Sequence, residues 1–198
     1  MLEFTEEGHL YKWNGEKVLS VTQTLEPLYA YSGIPDHIMK AASERGTAVH
    51  LACEYLDNGV EFDISPEIEP YLEAWKTFLI DSQFECELVE SLLYHPLYRY
   101  AGAVDRVGQL PGKGRGKKRR AIIDIKTTVN LMPTAGPQLA AYLEAFNVNF
   151  KDMPAQDRYV VQLKKDGTFK FHKHADKSDF QLFLSCQNIV KWKAANGY

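Results

Sequence analysis

Apolar positions along this chain follow two periods, and the change between them falls after Phe84. Near the start, HLYKWNGEKVLSVT reads as a β-hairpin turning at Asn14-Gly15, a dipeptide suited to the positive φ angles of a two-residue turn. A short helix is expected around Gln23–Tyr29. Pro35 to Asp57 is helical in pattern, with Gly46 as a candidate break. Thr47 would then cap a second helix carrying AVHLACEYL, and Asn58-Gly59 would stop it. Pro66 to Asp81 predicts a further amphipathic helix, because Ile68, Leu72, Trp75 and Leu79 recur at helical spacing.

Beyond Phe84 the segments ECELVESLLYH, YRYAGAVDRVGQL and RAIIDIKTTV are rich in Val, Ile, Leu and Tyr and read as strands. The second and third are joined by a glycine-rich loop, so they predict a long antiparallel hairpin. Pro137 to Phe146 is expected to be helical, with Pro137 near its first turn. RYVVQLKKDGTFKFHKH predicts a second hairpin at Asp166-Gly167, and a last helix runs from about Lys177 to Asn196. The plan is mixed α/β, a small central sheet flanked by helices. One domain over residues 1–198 is expected. Its N-terminal hairpin and helix would take residues 1–34, its core 35–176 and its C-terminal helix 177–198.

Composition narrows the class. Of 198 residues, 45% are hydrophobic and 12% aromatic, enough for one sizeable core and incompatible with a disordered or coiled-coil chain. No apolar run reaches the roughly 18 residues of a membrane span, and MLEFTEEGHLYKW lacks the basic start and apolar stretch of a secretory signal. Cys53, Cys86 and Cys186 are too few and too dispersed for a disulfide framework or a CxxC metal site. A reducing, cytoplasmic location is expected, with no membrane partner. The net charge is −3, yet PGKGRGKKRR gathers six basic residues, Lys113, Arg115, Lys117, Lys118, Arg119 and Arg120, and leaves the rest at −9. Such a concentrated segment suits local attraction to a polyanion; its alternative use is as a solvated loop.

Candidate chemistry centres on AIIDIKTT. On a strand, Asp124 and Lys126 share one face while Ile123 and Ile125 take the other. Asp105 lies on the expected partner strand, after the small residues Ala101, Gly102 and Ala103. Antiparallel pairing would bring Asp105 near Asp124, where a divalent cation such as Mg2+ or Mn2+ relieves the repulsion between them. The same residues would alternatively form salt bridges, Asp105 with Arg106 and Asp124 with Lys126. His50 and Glu54 are four apart on one helix face and offer a nitrogen and an oxygen to the same metal. Gln138 and Tyr142 repeat that spacing in PQLAAYLEAF. In FHKHAD, His172, His174 and Asp176 imitate a transition-metal site but read better as a solvated strand end.

In this order, G-T-x-x-H with a later Glu, G-x-x-D, D-I-K-T-T and Q-L-x-x-Y resemble the motifs of RecB-type and phage-exonuclease-like nucleases of the PD-(D/E)xK superfamily. The resemblance covers about Ser20 to Phe146. It implies a restriction-endonuclease-like core. His50, Asp105 and Asp124 would bind one or two Mg2+ or Mn2+ ions, with the Ile125 carbonyl contributing. Lys126 would be the catalytic lysine, and Gln138 and Tyr142 would complete the site with Asp105 and Asp124. Glu54 has an acidic counterpart in only some branches; Glu90 is a weaker candidate, equally suited to a salt bridge.

The implied activity is metal-dependent hydrolysis of DNA, by an exonuclease more than an endonuclease, in phage or mobile-element recombination and repair. The basic segment would grip the phosphate backbone, and Tyr94, Tyr98 and Tyr100 are candidates to stack on bases or to pack within the sheet. A single-strand annealing protein or self-association is the partner that the family suggests. Some RecB-type nucleases carry an iron–sulfur cluster on four cysteines; with three dispersed ones, no cluster is expected here. No G-x-x-x-x-G-K-[ST] motif accompanies the site. The competing reading is a catalytically silent DNA-binding or regulatory module that keeps the fold. Intact Asp105, Asp124 and Lys126 argue against it.

Overall fold

The computed structural model describes residues 1–5, 8–29 and 35–198, so residue 34, the expected end of the N-terminal region, falls outside the described set. The first strand, β1 (Leu2–Thr5), has no counterpart in the sequence reading. Four residues are too few to display a period, and the strand exists because it pairs antiparallel with β2 (Leu10–Trp13). β2 and β3 (Glu16–Ser20) form the expected hairpin, with Asn14 at φ 51° and Gly15 at φ 82°.

Ser20 ends β3 and begins α1 (Val21–Thr24) through a reciprocal capping box with Gln23, both bonds 3.0 Å long. The expected helix over residues 23–29 is split, because Pro27 has no N–H to continue an α-helical ladder and a 3-10 turn, Glu26–Leu28, takes over. α2 (Asp36–Asp57) runs unbroken through Gly46. The glycine therefore does not divide the helix, and Thr47 caps nothing. An interior glycine costs about 1 kcal/mol relative to alanine, which burial of Val49, Ala52 and Cys53 on the same helix offsets. Gly59, at φ 66°, ends it as expected. α3 (Glu69–Ser82) buries Leu72, Trp75 and Phe78.

The three expected strands are β4 (Glu85–His95), β5 (Tyr100–Pro111) and β6 (Lys118–Lys126). Then follow α4 (Ala135–Asn149), β7 (Asp157–Leu163), β8 (Phe169–Lys173) and α5 (Asp179–Asn196). All eight strands join one sheet in the order β1-β2-β3-β5-β6-β7-β8, with β4 alongside β5. The β3–β5 and β6–β7 pairs are parallel and the others antiparallel. The sheet is thus mixed, and larger than the strand signals implied because the N-terminal hairpin extends it.

Helices cover both faces. Ile122, Val104 and Val160 pack with residues of α1, α4 and α5, whereas Ala121, Ile123, Ile125 and Val161 pack with α2 and α3. Alternation along β6 sorts its side chains between these two cores. No helix among the described residues is long and apolar enough to cross a membrane.

One feature of the topology creates the site. β4 pairs with β5 along nearly its whole length, so β3 and β6 share the opposite edge. β3 holds it at Tyr100 and Ala101, and β6 holds it from Arg106 to Pro111. Between these two, residues 102–105 face a fork where β6 diverges.

Candidate active site

Asp105 stands in this fork and bridges it, its Oδ2 accepting the Ile125 N–H at 2.7 Å. The carboxylate replaces the missing ladder bond between β5 and β6. Asp105 therefore does not pair its side chain with Arg106, one of the alternatives that the sequence left open. On β6, Asp124 is 2% exposed and Lys126 Nζ donates to its Oδ1 at 2.9 Å. Oδ2 is equally close to the ammonium, yet it is buried and accepts no hydrogen bond. Burial pushes the Asp124 carboxyl above the usual range, and Asp105 adds to this against the pull of Lys126. Burial alone would lower the lysine, but Asp124 and Asp105 outweigh it and hold the ammonium above its ordinary value.

His50, on α2, reaches across the fork. Its Nε2 lies 2.9 Å from the Ile125 carbonyl, and its Nδ1 lies 3.6 Å from Asp105 Oδ2 and 4.0 Å from Glu90 Oε1. Glu90 owes its place to a local break in β4. The pairs Val89↔Arg106 and Ser91↔Val104 put Glu90 opposite Asp105, but Glu90 has φ 43°, a left-handed conformation uncommon outside glycine. Burial and Asp105 push its carboxyl up to about 7, against His50 and Arg106.

Behind these groups lies an ion pair that the sequence reading missed. Arg106 is fully buried, donating to Asp57 Oδ2 at 2.6 Å and Glu90 Oε1 at 3.0 Å. Asp57 also accepts from Trp75 Nε1 at 2.9 Å. The available signal was an arginine beside the candidate ligand Asp105 in a strand flanked by apolar residues, AVDRVG. Such a charge needs a buried acid to satisfy it.

Tyr142 and Gln138, four residues apart on α4, close the site from that helix. Burial, reinforced by Asp105, holds the Tyr142 phenol well above its ordinary value. Its ring lies over Gly102, where a Cβ would come within 2.7 Å of Cε1. Glycine at this position is what lets α4 approach the strand. His50, Glu90, Asp105, Asp124, Lys126, Gln138 and Tyr142 line a cleft of about 870 Å³ between α2 and α4. Glu54 lines it too, one turn beyond His50, but stands apart from the tight cluster.

His50, Glu90 and Asp105 offer three ligand atoms within 4.8 Å of one another. Their donor set, two carboxylate oxygens and an imidazole, could hold a divalent cation. The unsatisfied Oδ2 of Asp124 and two like charges face to face are what a cation would relieve. The Ile125 carbonyl, expected as a further ligand, is directed at His50.

The basic segment lies toward the other end of the β5–β6 hairpin, four residues of strand from Asp124 at its nearest, Arg120, or about 13 Å. Half of it is engaged: Lys118 pairs with Glu85, Arg119 with Asp157, and Arg120 with Glu87. Lys113, Arg115 and Lys117 are exposed and have no ion-pair partner among the described residues. None of the three candidate stacking tyrosines lines the cleft. Tyr94 is stacked on Trp13 at 4.2 Å, Tyr100 donates to the Ala141 carbonyl, and Tyr98 packs on His95 and Phe180. The register Tyr94↔Ala101 and His95↔Tyr100 puts Tyr94 and Tyr100 at the start of β5, where β3 closes one side of the fork. His172 contacts Gln162 and Asp176 caps Ser178, so the FHKHAD residues do not converge.

No protein-family model matches the chain, and no curated protein matches it. Among solved structures it is similar to an alkaline exonuclease, LHK-Exo, from Laribacter hongkongensis, with a TM-score of 0.44 and 14% identity over 91% of this chain and 95% of that one. A structure of LHK-Exo in complex with dAMP gives a TM-score of 0.34 and 13% identity over the same shares of the two chains.

Proposed function

We propose that this chain is a divalent-metal-dependent nuclease that hydrolyses phosphodiester bonds in DNA, acting from strand ends. The observation that carries the reading is Asp124. It is a buried carboxylate with both oxygens 2.9 Å from the Lys126 ammonium, only Oδ1 of them hydrogen-bonded, beside the His50, Glu90 and Asp105 cluster.

A divalent cation held by Asp105 and Asp124, with His50 and Glu90, would supply Lewis acidity to a phosphodiester and to an attacking water. The protein's own contribution is positional and electrostatic. Asp124 and Asp105 hold the Lys126 ammonium above its ordinary value, so it offers a positive charge beside the site. It offsets negative charge building on the phosphoryl oxygens and orients the water. Tyr142 keeps its proton and, with Gln138, presents hydrogen-bonding groups to the phosphate. Arg106 and Asp57 hold Glu90 in position from behind. Lys113, Arg115 and Lys117 would bind the backbone at a distance, without sequence preference.

The test is cleavage of end-labelled linear, single-stranded and closed-circular DNA with magnesium, manganese or EDTA, beside Lys126→Ala. Metal-dependent loss of linear substrates alone, absent in the variant, is the expected result. Nicked circles would replace exonuclease with endonuclease action. Equal cleavage by the variant would overturn the site assignment.

A further inference from the structure

The last helix, α5, is held to the rest of the protein along one face. Phe183, Cys186 and Gln187 are buried beneath it, whereas every residue from Lys191 to Tyr198 is exposed. A surface helix ordinarily turns charged residues outward. Here the side facing away from the buried strip carries Leu182, Ser185, Ile189, Trp192 and Asn196, and no charged residue occurs from Phe180 to Val190. Leu182, Ile189 and Trp192 are 42%, 46% and 59% exposed, and the Trp192 ring stacks on that of Tyr198 at 5.5 Å. The intervals along this stripe alternate between three and four residues over about 21 Å. That is the spacing of a seam between two helices packed at a shallow angle.

We propose that this stripe is a contact between two copies of the chain, paired antiparallel through α5 about a two-fold axis. The stripe is complementary to itself in that arrangement. Reversal about the level of Gln187 sets Leu182 opposite Trp192 of the other copy and Ser185 opposite Ile189, so each larger side chain meets a smaller one. Charge fixes the direction. Asp179, already 3.1 Å from Arg158, and Lys193 border the stripe on the same flank at opposite ends of the helix. Antiparallel pairing brings each aspartate toward the other copy's lysine and opposes the two helix dipoles, whereas parallel pairing would set lysine against lysine. A contact of this symmetry closes at two copies. One helix pair buries less than the roughly 1,200 Å² of a standard interface, so a dissociation constant on the order of 10 µM is expected. No residue of α5 lines the catalytic cleft, and the pairing does not depend on the nuclease reading.

Sedimentation equilibrium of the full chain, over concentrations spanning that constant, should follow a monomer–dimer scheme. Ile189→Lys and Trp192→Ser change exposed side chains, so each should leave the melting temperature of the dilute protein unchanged while weakening association by about tenfold or more. Cross-linking then tests the register. Ser185→Cys and Ile189→Cys are made separately, each with Cys86→Ser because Cys86 is the exposed native thiol. Under mild oxidation the two variants mixed together should give a disulfide-linked dimer, and either one alone far less. Equal cross-linking in the mixed and unmixed samples would overturn the antiparallel register. A monomer at every concentration, a trimer or larger assembly, or undiminished association in both surface variants would overturn the interface itself.

Discussion

Glu90 and Asp105 stand opposite each other across β4 and β5, bracketed by the pairs Val89↔Arg106 and Ser91↔Val104. Like charges at such positions destabilise a sheet, and partial burial of Glu90 adds to the cost. The arrangement makes sense if a cation normally lies between them. Glu90→Gln should therefore stabilise the metal-free protein by about 1 kcal/mol, roughly 2–4 °C in Tm for a chain of this size. The same change should weaken manganese binding and shrink the Tm increase that manganese produces. Thermal melts in EDTA and in manganese check both effects. A less stable variant with an unchanged metal response would contradict a shared cation.

Lys126 and Asp124 share a buried contact, so replacing the lysine has two separable consequences. Lys126→Met removes the charge but keeps the aliphatic stem. Cleavage should fall by about 100- to 1,000-fold, the usual cost of losing one electrostatic contact to the reacting group. Metal-free Tm should also fall, because Asp124 is left buried and uncompensated, and manganese should restore most of it. Single-turnover rates and melts measured on the same preparation separate the two.

Gly102 makes a steric prediction at the same site. In Gly102→Ala the new methyl would meet Tyr142 Cε1 at 2.7 Å and Val21 Cγ2 at 3.2 Å, so the ring must move. A loss of about 1–3 kcal/mol is expected from such overpacking, with a drop in kcat as Tyr142 and Gln138 leave their positions. Gly102→Ala combined with Tyr142→Phe should be no more stable than Gly102→Ala alone, since the clash involves ring carbon. Recovery of stability in that pair would place the conflict at the hydroxyl instead.

Asp157 supplies the pH prediction. Burial alone would raise its carboxyl, but Arg119 and Lys173 win and hold it below the usual carboxylate range. The folded state therefore binds this proton less readily than the unfolded chain, whose value is about 3.9. The stabilisation is present above that value and is lost as pH falls through the lower folded-state value. Asp157→Asn should cost about 1–3 kcal/mol at pH 7. The wild-type and variant stability curves should converge as the solution is taken below about pH 4. Parallel curves down to the lowest pH would rule out Asp157 as the titrating group.

What could be read beforehand depended on how local each determinant is. Asn14-Gly15 set its own turn, and alternation in AIIDIK assigned Asp124 and Lys126 to one face and Ile123 and Ile125 to the other. Gly46 misled because local propensity was outweighed by packing elsewhere on α2. Glu90 was underrated because its position in the cleft follows from a positive φ that no neighbouring residue signals. The Arg106–Asp57 pair spans 49 residues and the His50–Ile125 contact 75, so neither is visible in a window of sequence. β1 and its Phe4 had too short a pattern to register at all.

The basic segment looked uniform in sequence, and the fold divides it. Lys118, Arg119 and Arg120 belong to β6, where Arg119 is bound to Asp157 on the adjacent β7 and Lys118 and Arg120 reach over β5 to Glu85 and Glu87 on β4. Lys113 and Lys117 border a groove of about 790 Å³ that Lys173 enters from β8, with Arg115 exposed between them. Charges already paired gain little from a phosphate, because each must first give up its carboxylate. Replacing Lys113, Arg115 and Lys117 together with alanine should therefore weaken DNA binding, and should flatten log Kd against log salt by about 2–3 if each neutralises one phosphate. Melting temperature should hardly change. Arg119→Ala with Arg120→Ala should do the reverse, lowering Tm and leaving the salt slope close to wild type. Fluorescence anisotropy over a salt series, with melts on the same proteins, measures both quantities. An equal loss of slope in the two variants would mean that the β6 arginines exchange their carboxylates for phosphates on binding. An unchanged slope in the triple variant would remove the loop from the nucleic-acid surface altogether.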